Sequence, residues 1–397
     1  MSRLRAENLF KVFGRRPEEA VGRLKAGADR DELRAEGTTA AVIDASFSVG
    51  TGQIFVVMGL SGSGKSTLLR MLNGLLEPTA GQVLFDGEDL TALSPARLRE
   101  VRSKKISMVF QHFALFPHRS VLENAAYGLE VQGVPRPQRE QRAAEALDLV
   151  GLAGWEKSWP DELSGGMQQR VGLARALATD ADLLLMDESF SALDPLIRRD
   201  MQDQLLELQK TLQKTIVFIT HDLNEAMRLG DRIAVMRDGR IVQTGTAEDI
   251  LVTPANDYVA SFTRDVDRTR VLTAGAVMAD PSTALGSRAE DGTVLTGEDQ
   301  VLAAAPATVT ADTPIAELFV PCSRSSAAVA VTDDEDNLIG VVPGNRLLAL
   351  LGEPEPEQPA PAAEPAPEDG PPPAPLAKTP AQRPGSDTAK EKEAADA

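Results

Sequence analysis

Gly59-Leu-Ser-Gly-Ser-Gly-Lys-Ser66 puts three glycines, a lysine and three hydroxyls into eight residues. That mixture suits a polyphosphate. Gly59, Gly62 and Gly64 allow loop N–H groups, with Ser61 between them, to curl round phosphate oxygens. Lys65 reaches the β- and γ-phosphates, Ser66 ligates Mg²⁺, and Thr67 opens the next segment. A second run, Leu163-Ser-Gly-Gly-Met-Gln168, has the same character. Ser164, Gly165 and Gly166 can start a helix whose first N–H groups form another anion cradle.

Such residues need rigid supports. Ile54–Met58 is a short apolar strand before the glycine loop, and Thr67 to Asn73 has helical spacing, so the loop reads strand–loop–helix. Leu183–Met186 reads as a strand buried on both faces and ends at Asp187 and Glu188. The first carboxylate suits Mg²⁺ and the second suits the attacking water, unless both merely cap the next helix. Ile216–Ile219 is a third buried strand and delivers Thr220 and His221 to the same edge, where His221 can meet a γ-phosphate. Gln111 follows the strand-like run Ile106–Phe110 and means little by itself.

Together these residues resemble the ATP-binding cassette (ABC) ATPases. Leu163–Arg170 matches their signature motif, Ser191-Ala-Leu-Asp194 the D-loop, His221 the switch histidine and Gln111 the Q-loop. The resemblance implies ATP and Mg²⁺ as ligands, with Ser66, Gln111 and Asp187 in the metal set. It makes Glu188, His221 and Lys65 the catalytic group. It also implies that Ser164, Gly165, Gly166 and Asp194 act on ATP held by a second copy, in a homodimer with two ATPs at the interface. An aromatic stacks on adenine near the start of such chains; Phe13 is the candidate by position and Phe10 the alternative.

A narrower resemblance adds a substrate. Asn8–Gly14 precedes an inserted charged segment, Arg15–Gly37. Met108–His118, Pro160–Gly166, Asp194–Arg198, His221–Arg228 and Pro254–Val259 then follow in order. Over roughly residues 5–267 this looks like the ATPase subunit of glycine betaine/proline betaine importers. Ser189 departs from the usual small apolar residue or proline there, at a position that contributes no ligand. The resemblance implies transmembrane permease subunits as partners, a substrate-binding protein reached only through them, and a peripheral place on the cytoplasmic face of the membrane. Amino-acid or polyamine import is the alternative within transport. A non-transport ABC ATPase is the remote one, since the chain carries one cassette and no long coiled-coil insert.

Composition is consistent with this. The 397 residues carry a net charge of −18, and the sequence pI is near 4.7. Nucleic acid would repel such a chain, and no basic stripe offsets that. No apolar run approaches the roughly eighteen residues of a membrane helix, and no signal peptide is expected. Cys322 is the single cysteine, which excludes an internal disulfide and suits a reducing compartment. No structural metal cluster is legible.

The fold class expected is α/β: a P-loop ABC ATPase domain over 1–267, with an inserted helical subdomain over about 112–165. Apolar positions at Ala143, Leu147 and Val150 mark that subdomain. Phe113, Leu115, Phe116 and Pro117 form its corner, either packed inside or meeting a permease helix. The Arg15–Gly37 insertion reads as one short amphipathic helix on the first sheet, with Val21, Leu24 and Leu33 as its apolar set. Residues 268–352 read as a second, α+β unit: a helix over Ala311–Phe319, strands at Ala327–Val331 and Leu338–Val342, and a helix over Asn345–Leu351. That order resembles a CBS repeat, with a degenerate first repeat in Val271–Gln300. Glu353–Ala397 holds 12 of the 26 prolines and 10 acidic against 4 basic residues, and is expected to be disordered.

Overall fold

The computed structural model describes residues 2–111, 113–263, 266, 268–285, 297–324 and 327–351. Glu353–Ala397, and residues 286–296 of the expected degenerate repeat, lie outside the described residues.

The chain opens with β1 (Ser2–Phe13), then α1 (Pro17–Lys25) and α2 (Arg30–Ala35), then β2 (Thr39–Gly50). The insertion is therefore two helices and not the single one expected. Gly27 breaks it with φ +95°, and the Asp29 side chain caps the second helix by accepting from the Asp31 N–H. Both helices sit on the sheet: Ala20, Val21, Leu24 and Leu33 are buried against Phe10, Val12, Ala40 and Ile43.

β3 (Ile54–Met58) leads into α3 (Lys65–Leu72). β4 (Ala80–Phe85), β5 (Glu88–Asp89), α4 (Pro95–Lys105) and β6 (Ile106–Val109) follow. Next come α5 (Val121–Val131), α6 (Arg136–Leu149) and α7 (Gly165–Ala178), which pack on one another. Ala143, Leu147 and Val150 are fully buried there, as their spacing predicted, and the helical layer takes in α7 as well. Then follow β7 (Leu183–Asp187), α8 (Pro195–Leu212), β8 (Thr215–Thr220), α9 (Leu223–Leu229), β9 (Arg232–Arg237), β10 (Arg240–Gly245), α10 (Ala247–Val252) and α11 (Asp257–Thr263).

Two sheets result. β2-β1-β4-β5 is antiparallel, and the six-stranded sheet runs β10-β9-β3-β8-β7-β6, parallel except at the edge β10–β9 pair. Strand alternation divides the core. Phe55, Val57, Leu185, Val217 and Ile219 face the antiparallel sheet and α3, while Ile54, Val56, Met186, Ile216 and Phe218 face the helical layer. The fold is α/β, as expected.

After α11 the chain forms α12 (Ala274–Val277), α13 (Glu298–Ala304), β11 (Thr308–Thr310), α14 (Phe319–Arg324), β12 (Val329–Thr332), β13 (Leu338–Val342) and α15 (Gly344–Leu351). β12 is central in a three-stranded sheet, parallel to β11 and antiparallel to β13. The helix expected from Ala311 starts later, as a 3-10 turn over Ile315–Leu318 that continues into α14. Pro314 stands just before that turn and biases Thr313 away from helical backbone. Leu272, Ala274, Ile315, Leu318, Val329 and Val331 join the same apolar cluster as α10 and α11.

Candidate functional site

Three adjacent parallel strands end level with one another. Register pairs Met58 of β3 with Thr220 of β8, and Asp187 of β7 with Ile219 of β8. The glycine loop, Asp187–Glu188 and His221 therefore leave the sheet at one carboxyl edge, where open α/β sheets bind ligands. Gly64 has φ +104°, and a Cβ there would lie 2.2 Å from the Ala41 carbonyl oxygen, so no side chain fits. The loop borders a cavity of about 250 Å³ walled by Ser61, Gly62, Gly64, Lys65, Ser66 and Thr67, together with Glu188, Arg30, Thr39 and Ala41.

Lys65 is almost fully buried. Its Nζ donates to the carbonyls of Gly59 (2.8 Å) and Leu60 (3.1 Å) and lies 3.6 Å from Glu188 Oε1. Burial lowers its pKa against the pull of Glu188. Ser66 Oγ donates to Asp187 Oδ1 at 3.0 Å, and burial raises the Asp187 carboxyl even so. Glu188 adopts φ +43°, a left-handed backbone that costs a glutamate about 1 kcal/mol or more. Its N–H donates to the Ile219 carbonyl (3.0 Å), and its Oε2 lies 3.0 Å from His221 Nδ1.

The donor set fits a Mg²⁺–nucleotide. A hydroxyl and a carboxylate stand together at the loop, a lysine lines the cavity, and the buried Ser63 hydroxyl has no partner among the described residues. The ABC transporter pattern matches residues 42–191, which run from β2 through the glycine loop and signature to Asp187 and Glu188. The glycine betaine transport ATP-binding protein OpuAA of Bacillus subtilis is 61% identical over 70% of this chain, which spans 66% of that protein. The glycine betaine/proline betaine transport system ATP-binding protein ProV of Escherichia coli is 46% identical over 88% of this chain and 97% of its own length. The chain belongs to the ABC transporter ATP-binding proteins. A solved dimeric ATP-binding cassette in a post-hydrolysis state, bound to ADP and Pi, superposes with a TM-score of 0.52 at 31% identity, covering 62% of this chain and 98% of that one.

Within the cassette, Gln111 stands apart from the cavity wall. Its Nε2 donates to Ser191 Oγ (3.3 Å), which in turn donates to the Glu188 carbonyl (2.8 Å). Ser164 caps α7 by accepting from the Met167 N–H at 3.3 Å, with Gly165 exposed beside it. Asp194 caps α8 by accepting from the Leu196 and Ile197 N–H groups. Neither loop lines the cavity of its own chain. Gly166 is buried, and a Cβ there would fall 2.6 Å from Ile197 Cγ2.

The two N-terminal aromatics separate cleanly. Phe10 is buried under α1 and α2, whereas Phe13 is 44% exposed and pairs across the sheet with Thr39, a cavity-wall residue. Phe113 and Leu115 pack partly on the helical core, and Phe116 lies 4.6 Å from the Tyr127 ring. Ser189 is fully buried, and its hydroxyl lacks a partner among the described residues.

Sequence reasoning missed Arg30, Thr39 and Ala41 as cavity residues. Nothing in their types announces the role, because tertiary packing alone brings them to the loop. It also missed the Tyr258 hydroxyl against the Leu60 backbone amide, although the Pro254–Val259 run was singled out.

Proposed function

We propose that this chain is the ATP-hydrolysing subunit of an importer for glycine betaine/proline betaine-type osmoprotectants. The observation that carries the reading is the convergence of Lys65, Ser66, Asp187, Glu188 and His221 on one sheet edge. The substrate class comes from the relatives, because the imported molecule does not meet this subunit.

The residues divide the work. The Gly59–Thr67 loop binds the triphosphate, and Lys65 neutralises charge at its β,γ end. Ser66, Gln111 and Asp187 would hold Mg²⁺, which would supply countercharge to the phosphates. Glu188 orients a water in line with the γ-phosphorus, so that the bond to the β–γ bridging oxygen breaks and ADP and phosphate leave. His221 fixes the Glu188 carboxylate and faces the γ-phosphate. Phe13 stacks on adenine. Ser164, Gly165, Gly166 and Asp194 complete the site of a second copy, so two ATPs lie between two chains.

Closure of that pair moves a permease coupling helix seated near Phe113 and Leu115, and a substrate-binding protein takes part only through the permease. The chain is thus peripheral to the membrane; no helix among the described residues is long and apolar enough to cross one. Residues 268–352 serve as a CBS-like regulatory module with a degenerate first repeat. The helix–strand–turn–strand–helix order of its second half supports that reading.

Two experiments test this. In the first, the gene and its neighbouring permease genes are expressed in a bacterium without betaine uptake. Labelled glycine betaine should accumulate, whereas uptake of an amino acid or polyamine alone would overturn the substrate class. In the second, Lys65→Ala and Ser164→Arg chains are mixed. A heterodimer keeps one composite site free of both changes, so the mixture should regain part of the ATPase activity that neither variant has. No recovery from heterodimers shown to form would refute shared sites.

A further inference from the structure

The family reading leaves the Arg15–Gly37 insertion without a task, yet Arg30 from this insertion lines the phosphate cavity. We infer that Arg30 is a nucleotide-binding residue, placed to contact the α-phosphate. This rests on the cavity being an ATP site.

Charge is the first argument. Arg30, Lys65 and Glu188 are the ionised side chains on the cavity wall. Lys65 lies 3.6 Å from Glu188, and Arg30 is the second cation of the wall, its own partner Asp238 standing outside the lining. A guanidinium with five donors suits phosphate oxygens, and one bond to a neighbour leaves other N–H groups free.

Position is the second. Arg30 belongs to the segment that joins Phe13 to Thr39, it lines the cavity together with Thr39 and Ala41, and Thr39 pairs across the sheet with the exposed Phe13. Lys65 and Ser66 define the β,γ end of a bound triphosphate, so the Thr39 side receives the nucleoside end. Arg30 enters the cavity wall from that nucleoside-side segment, and the phosphate nearest the nucleoside is the α-phosphate.

Rigidity is the third. Leu33 anchors α2 in the apolar cluster, and the Thr38 N–H donates to the Leu33 carbonyl at 2.9 Å. Arg30 Nη1 donates to Asp238 Oδ1 at 2.9 Å. Asp238 lies in the β9–β10 turn, whose Gly239 N–H donates to the Ser63 carbonyl of the loop (3.0 Å). The same glycine accepts from the Ile43 N–H of β2 at 2.8 Å. The guanidinium is therefore tied to the loop it would assist, and little ordering is left to do on binding.

The test is equilibrium binding of ATP and ADP to the full-length chain and its variants, with thermal melts as a check of folding. Arg30→Ala should weaken both nucleotides by roughly tenfold, the worth of one charge-assisted hydrogen bond, and Arg30→Lys should recover part of the loss. Asp238→Asn separates binding from bracing, because asparagine tolerates the left-handed backbone at this position (φ +50°) while the ion pair is lost. It should bind nucleotide as tightly as the parent or more tightly, having freed Arg30 and removed an anion. An equal loss in Asp238→Asn would make Arg30 a strut and overturn the proposal. A loss confined to ATP would overturn the α-phosphate placement. Unchanged binding in Arg30→Ala, beside a parent that binds ATP, would remove Arg30 alone. A parent that binds no ATP would remove the functional reading and this inference with it.

Discussion

The carboxyl edge of the six-stranded sheet and the small sheet of residues 308–342 are built from similar short apolar strands, yet they treat their carboxylates in opposite ways. At the tip between β12 and β13, Asp333 spends its oxygens locally. It accepts from the N–H groups of Glu335 and Asn337 and from the Asn337 amide, and these bonds, Asn337 first, hold its pKa low. At the end of β7, Asp187 and Glu188 instead meet partners 33 or more residues away: Ser66, Lys65 and His221. The first arrangement closes a turn. The second leaves charges partly desolvated and held by three separate elements, which is the arrangement chemistry requires.

The sharpest way to break the contrast is Glu188→Gln. It should keep ATP binding and lower hydrolysis roughly 10²–10⁴-fold, the range of a positioned base, with dimers that persist longer in ATP. Normal turnover would reduce the β7 end to another capped turn. Asp333→Asn, made at the other tip, should leave hydrolysis unaltered in the same assay.

Phe13→Ala is the next largest change. Loss of the ring proposed to stack on adenine should weaken ATP binding roughly fivefold to a hundredfold, since such stacking is worth about 1–3 kcal/mol. Phe10→Ala should lower the melting temperature instead, because that ring fills the core beneath α1 and α2. A reversal of the two phenotypes would exchange their assignments.

Deletion from Val271 onward asks whether the second sheet serves catalysis or its control. ATP hydrolysis should persist, while the dependence of transport on ionic strength should flatten. A salt series gives the answer: an activation curve identical to that of the whole chain would rule out sensing by this segment.

The smallest expected effect concerns Glu225, a buried carboxylate behind the site that accepts from Gln202 Nε2 at 3.1 Å. Burial raises its pKa, so the folded chain binds this proton more tightly than the unfolded one. Its contribution to stability is therefore greatest below the ordinary glutamate value of about 4.3 and falls as pH rises through the raised value. Glu225→Gln should melt a few degrees higher than the parent at neutral pH, with the gain vanishing in acid. A gain independent of pH would mean the carboxyl is not titrating there.

The phosphate loop, Asp187, Glu188 and His221 were legible because each residue type answers one chemical demand at a fixed distance from a strand end. The structure brings them together as expected. Arg30 and Thr39 were not legible. Their place depends on how α2 folds over β1 and β2, and neither type nor spacing reports that. The late start of the helix after Pro314 could have been read from proline's effect on its predecessor. The break at Gly27 lay in plain view, but three widely spaced apolar residues fitted one helix as well as two.

Gly166 carries one more implication. With room for no more than a hydrogen between α7 and Ile197, the start of the signature helix bears directly on the first turn of α8, which Asp194 caps. The two helix starts are thus meshed like teeth on one gear. Any side chain at position 166 would have to displace Ile197, and with it the first turn of α8.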